Sequence, residues 1–130
     1  MARIILVDDE PIAAQIAAGA LAKAGYAVGW IDNGAEALQV MRRRPPDLAI
    51  LDCMMPGMSG VQLLHQMRID MKLCGVPVLM LTARTSARDE AIAFGAGAGD
   101  YLTKPFDPDL LVGRVDALLY RERTLGRMAG

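Results

Sequence analysis

Histidine and cysteine are scarce in this chain: one His and two Cys among 130 residues. One imidazole without a partner motif does not make a cysteine–histidine metal cluster. Two thiols do not make a disulfide framework. Aromatic residues are only 5%, so the core must rest on Ala, Leu, Ile, Val and the nine Met. No apolar run approaches the roughly 18 residues of a membrane helix. An excess of one charge is also missing. The 14 Lys and Arg face 15 Asp and Glu, for a net charge of -1, which argues against a nucleic-acid or membrane surface held by bulk electrostatics. With 53% hydrophobic and 22% charged residues, the composition is that of a folded chain rather than a disordered one. The apolar start, Met1 to Val7, runs into Asp8-Asp9-Glu10, a sequence no secretory signal tolerates. Cys53 and Cys74 are therefore expected to be reduced thiols in a cytoplasmic protein.

What is present alternates. Arg3–Val7, Tyr26–Asp32, Leu48–Leu51, Val76–Leu81 and Asp100–Thr103 are short apolar runs that read as strands. Between and after them lie helical patterns. Pro11 opens the first, Ile12, Ile16 and Ala20 recur along it, and Gly25 stops it. Asn33 caps the second over Gly34–Arg43, with Ala37, Leu38 and Met41 inward, and Pro45-Pro46 ends it. Val61, Leu64 and Met67 mark the third, and Ser86–Phe94 is a short fourth. Asp107 caps and Pro108 opens the fifth, along which Leu111, Val115 and Leu118 align. Apolar strands alternating with helices mean an α/β fold, a parallel sheet covered on both faces. One domain is expected over residues 1–122, followed by a polar tail, 123–130, that frays.

The strands end on polar residues. Asp8 and Asp9 follow the first, Asp52 the third, Thr82 the fourth and Lys104 the fifth. In an open α/β sheet the carboxyl ends of the strands form the ligand crevice, so three carboxylates, a hydroxyl and an ammonium should converge there. Clustered carboxylates repel unless a cation intervenes. Oxygen ligands favour a hard ion such as Mg²⁺, and a Lys and a Thr beside it suit phosphoryl oxygens. Singly, each residue has a plainer explanation: an Asp after a strand is a turn residue, and Thr82 a helix cap.

Four segments carry a resemblance: Ile5-Leu6-Val7-Asp8-Asp9-Glu10, Leu51-Asp52-Cys53-Met54-Met55-Pro56-Gly57-Met58-Ser59-Gly60, Leu81-Thr82-Ala83, and Asp100-Tyr101-Leu102-Thr103-Lys104-Pro105-Phe106. In order and spacing the chain resembles the receiver domain of two-component response regulators, from about Arg3 to about Leu119. The resemblance implies a flavodoxin-like, doubly wound five-stranded sheet in the order 2-1-3-4-5 with five flanking helices. It implies that Asp52 accepts a phosphoryl group from a histidine kinase or a histidine phosphotransfer protein, with Mg²⁺ as cofactor. Asp9 would ligate the metal directly, Asp8 through water, and Asp52 and the Met54 carbonyl would complete the set. Lys104 would meet a phosphoryl oxygen. Thr82 and Ala83 would line the opposite side, with Tyr101 coupled to Thr82 and its ring outward in the resting protein. Pro105 would follow a cis bond.

The implied protein is a switch rather than an enzyme, with only weak phosphotransfer and dephosphorylation of its own. A phosphatase or phosphomutase would want an acid–base Asp where Met54 stands. A flavin carrier would not place Asp8-Asp9-Glu10 against a phosphate. A degenerate receiver would lack one of the five residues, and none is missing. Output to a downstream protein is expected at the face of the fourth helix, fifth strand and fifth helix, without direct contact to nucleic acid or membrane. A homodimer stays open: Asp100 with Arg121 resembles one pair of a dimer network and Arg114 half of another, while Glu90, Ala96 and Leu110 depart from it. Trp30 is expected to be packing, His65 a surface residue and Cys53 a space filler.

Overall fold

The computed structural model describes residues 1–83, 91, 92 and 94–129, with side chains as far as Thr124. Five strands form one parallel sheet: β1 (Arg3–Val7), β2 (Ala27–Ile31), β3 (Leu48–Asp52), β4 (Val78–Thr82) and β5 (Asp100–Thr103), in the order β2-β1-β3-β4-β5. The order reverses at β1, whose neighbours are β2 and β3, and this opens the crevice at the ends of β1 and β3. β3 and β4 are buried at every position, as strands with both faces covered must be. Pro77 has no N–H for a ladder, and β4 starts one residue after it.

Four helices cover the sheet among the described residues: α1 (Pro11–Lys23), α2 (Gly34–Arg43), α3 (Gly60–Ile69) and α4 (Pro108–Ala129). The helix expected over Ser86–Phe94 lies largely outside the described residues; only Ala91, Ile92, Phe94 and Gly95 near its end are seen, and they are helical. α2 and α3 close one face around Val7, Leu51, Met80 and Met41. α1 and α4 close the other around Leu6, Ile50, Leu79 and Val115.

Local signals place the helix ends. The Asn33 side chain accepts from Glu36 N–H at 2.8 Å, and Ser59 and Gln62 form a reciprocal capping box. Gly25, at φ 99°, ends the α1 turn in a conformation that favours glycine. Gly60 is demanded by contact: a Cβ there would lie 2.0 Å from the Asp52 carbonyl oxygen. The start of α3 is thereby pressed onto the end of β3.

α1 turns Ala14, Ala17 and Leu21 inward, while Ile12 and Ile16 are 75% and 49% exposed. Small residues let the helix approach its neighbours closely, and the larger isoleucines are left outside. α4 runs without a break from Pro108 to Ala129. Its Tyr26 contact helps to seat it: the Tyr26 hydroxyl donates to Asp116, and burial, then the Asp116 carboxylate, push that phenol up to about 12. Asp100 pairs within the chain with Arg114, at 2.8 Å.

Candidate functional site

Each strand delivers its terminal polar residue to the same edge. β3 ends on Asp52 and β4 on Thr82, while Asp8 and Asp9 follow β1 directly and Lys104 follows β5. Asp8, Asp52 and Thr82 are only 0%, 2% and 3% exposed, a degree of burial that polar side chains accept only with partners. Backbone bonds hold the strand ends in line: Cys53 N–H donates to the Leu81 carbonyl at 2.8 Å, and Lys104 N–H to the Thr82 carbonyl at 2.6 Å.

One carboxylate oxygen from each of Asp8, Asp9, Glu10 and Asp52 lies within 4.8 Å of the others. Lys104 faces this group. Its Nζ lies 2.7 Å from Asp8 Oδ2, 3.4 Å from Asp52 Oδ2 and 3.7 Å from Glu10 Oε1. Burial by itself lowers the Lys104 ammonium; the contact with Asp8 and the charges of Asp52, Asp8 and Glu10 outweigh this and push it up. Burial raises the Asp52 carboxyl, Lys104 pulls it back, and Asp8 raises it again, leaving it at about 6. Met54 N–H donates to Asp52 Oδ1 at 3.2 Å.

Asp8 is held at every other polar atom. Its N–H donates to the Ile31 carbonyl at 3.1 Å. Its carbonyl accepts from the Trp30 indole at 2.7 Å, and its Oδ1 from Glu10 N–H at 2.9 Å. Oδ2 is buried and meets the Lys104 ammonium at 2.7 Å. Four clustered carboxylates that share one ammonium keep a surplus of negative charge, which fits a hard divalent cation, an ion that prefers oxygen ligands.

Of the residues singled out in the sequence, Asp8, Asp9, Asp52, Thr82 and Lys104 come together as expected. The Met54 side chain is 62% exposed. The Lys104–Pro105 peptide bond is cis. Tyr101 is only 7% exposed and belongs to the same hydrophobic cluster as Met80 and Ala98. An outward ring was expected in the resting protein, and the residue is instead buried. His65 is exposed. Arg84, which resemblance sets near the approach to Asp52, lies outside the described residues. Two participants were not read from the sequence. Glu10 joins the acidic group, and the D-D-E run was a signal for it. Trp30 is no buried packing residue: it is 41% exposed and bonded to Asp8.

Fold and site define a doubly wound α/β protein with an acidic, cation-seeking crevice at the reversal of its strand order. The chain belongs to the response regulator receiver domain family, whose model matches residues 4–116. Phosphorylation on an aspartate is the general property of that family, in two-component signalling. The DNA-binding response regulator MtrA of Mycolicibacterium smegmatis is 42% identical over 119 residues, covering 92% of this chain and 51% of that protein. The chain thus spans about half the length of the curated relatives it matches. Among solved structures, the Vibrio cholerae chemotaxis protein CheY4 is 32% identical with a TM-score of 0.86, covering 91% of this chain and 98% of that one. A CheY-like response regulator receiver domain protein of Methanospirillum hungatei is 26% identical with a TM-score of 0.88, covering 95% and 98%. Among the described residues no helix is long and apolar enough to cross a membrane.

Proposed function

We propose that Asp52 is the phosphoacceptor of this receiver and that Asp8, Asp9, Asp52 and the Met54 carbonyl hold Mg²⁺ beside it. The observation that carries this is the buried Asp52 carboxylate, 3.4 Å from Lys104 and inside the acidic group. An Asp52 oxygen attacks the phosphorus of a phosphohistidine. The P–N bond breaks, and its electron pair stays on the imidazole nitrogen. Such transfer depends on positioning and charge neutralisation more than on covalent help. Mg²⁺ held by these residues would supply positive charge to the phosphoryl oxygens. Lys104 supplies a second positive charge, and Thr82 and the Ala83 backbone line the other side. The protein acts as a switch in the cytoplasm, with only weak dephosphorylation of its own. The test is intact-mass measurement with a small phosphodonor: one hydroxylamine-sensitive phosphoryl group with Mg²⁺, and none with EDTA. Uptake in EDTA overturns the metal assignment.

The donor is a histidine kinase or a histidine phosphotransfer protein. A hollow of about 480 Å³ beside the site, lined by Ile12, Ile16, Phe106, Ala83 and Lys104 among others, supports docking there. Exposed isoleucines next to the acceptor offer an apolar seat that a charge would spoil. Ile12→Asp is expected to slow transfer from the kinase at least tenfold, the equivalent of about 1.4 kcal/mol, and to leave uptake from a small phosphodonor unchanged. Equal loss with both donors would remove the docking role. Output passes to a downstream protein at the face that includes β5 and α4, where Tyr101 and Thr82 act as switch residues with Pro105.

Met54 bears on how long the phosphoryl group lasts. Hydrolysis needs a water in line with the phosphorus, and an apolar, exposed thioether two residues from Asp52 orients none. Met54→Asn is expected to speed phosphate loss severalfold in a decay assay. A slower or unchanged decay would refute that role.

A further inference from the structure

We infer that Trp30 is a positioning residue of the cation site: its indole N–H holds the Asp8 carbonyl and so fixes the turn that presents Asp9. The inference rests on reading the acidic group as the Mg²⁺ site. Trp30 lies on the edge strand β2, where its backbone is in register with Leu6. Its side chain reaches further along β1 and donates to the Asp8 carbonyl at 2.7 Å. The next residue of β2, Ile31, accepts from Asp8 N–H at 3.1 Å. Two successive residues of β2 therefore grip Asp8 at both its backbone polar atoms.

The Asp8 carbonyl is one end of the Asp8–Asp9 peptide plane. That plane is rigid, so holding its oxygen sets the direction in which Asp9 leaves the strand. With Oδ1 also engaged by Glu10 N–H, Asp8 has little freedom left, and Oδ2 stays aimed at Lys104. A site already arranged loses less freedom when a cation binds. Hydrophobic burial alone does not account for the tryptophan, since 41% of it is exposed. It is also the only tryptophan in the chain, so its indole resonance is read without overlap.

The experiment compares wild type with Trp30→Phe, which keeps an aromatic ring and removes the donor. Mg²⁺ is titrated against both proteins, following the Asp9 and Asp52 amide signals by NMR. Half-saturation is expected at about three- to tenfold more Mg²⁺ in the variant, the size of one lost hydrogen bond. Without Mg²⁺ the variant should melt a few degrees lower, since the same hydrogen bond is made in the metal-free protein, and the Mg²⁺ needed for half-maximal phosphoryl uptake should rise by the same factor as the binding midpoint. In wild type the indole proton should exchange slowly and shift with the same Mg²⁺ midpoint as the Asp9 amide. Equal affinity in the two proteins overturns the role of Trp30 and leaves the cation site intact. Mg²⁺ binding to neither protein overturns both. If the variant does not fold, the wild-type indole decides: rapid exchange without response to Mg²⁺ overturns the inference.

Discussion

Asp52→Asn is expected to take up no phosphoryl group from a kinase or a small donor, and to melt higher than the native protein at pH 7.5 without Mg²⁺. The first effect follows from chemistry: an amide oxygen carries no charge with which to attack phosphorus. The second follows from the position of the carboxyl, raised from 3.8 to about 6 by burial, against the pull of Lys104, with Asp8 adding to the rise. The folded protein holds this proton more tightly than the unfolded chain does. The stability that goes with it is fully present below 3.8 and is lost as pH rises through about 6. At pH 7.5 the charged group therefore opposes folding. With no solvent screening the cost would be about 3 kcal/mol. The mouth of the site opens to water at Glu10, which lowers it to about 1–2 kcal/mol, or several degrees in melting temperature. The gain should shrink as pH falls from 7 to 4. One phosphoryl group still bound to the variant, or a gain independent of pH, would contradict the assignment.

Lys104→Ala is expected to destabilise the Mg²⁺-free protein by about 2–4 kcal/mol, because it leaves buried charge without its counter-ion. Its Nζ serves Asp8 and Asp52 together, and their side chains are 1% and 4% exposed. Mg²⁺ should restore much of the loss, and the variant should bind Mg²⁺ at least as well as wild type, since a repelling cation has gone. Asp9→Ala should do the reverse: little change in stability without metal, and a large loss of Mg²⁺ affinity. Chemical melts of the three proteins with Mg²⁺ and with EDTA separate these outcomes. A Lys104→Ala melt that ignores Mg²⁺ would place the lysine outside the cation site.

The strand-end residues were legible because each breaks an apolar run with a polar group. Asp8, Asp52, Thr82 and Lys104 needed only that break and the parallel order to be brought to one edge. Helix α1 was harder. In an alanine-rich helix the series Ile12-Ile16-Ala20 and the series Ala14-Ala17-Leu21 both have helical spacing. Which one faces inward depends on how closely the helix approaches the sheet and α4, a distance set by assembly. Trp30 was illegible for a related reason. A side chain bonded to the backbone of the neighbouring strand depends on register, and the pairing of Trp30 with Leu6 has no local signature. The Asp100–Arg114 pair likewise requires knowing which face of α4 lies over β5.

The placement of Asp52 on β3 has a consequence for where motion resides. β3 is the middle strand of five, and each of its residues is buried. Amides at such a position exchange with solvent only when most of the molecule opens, whereas edge strands open locally at far lower free energy. β2, with no buried position, and β5 are those edges. The phosphoryl group would thus be written onto the slowest-exchanging strand of the sheet and read at an edge that opens more readily. Lys104 and Tyr101 belong to the β5 side of that gradient, so a charge added at a rigid centre would be expressed as a change in opening rate at a soft margin.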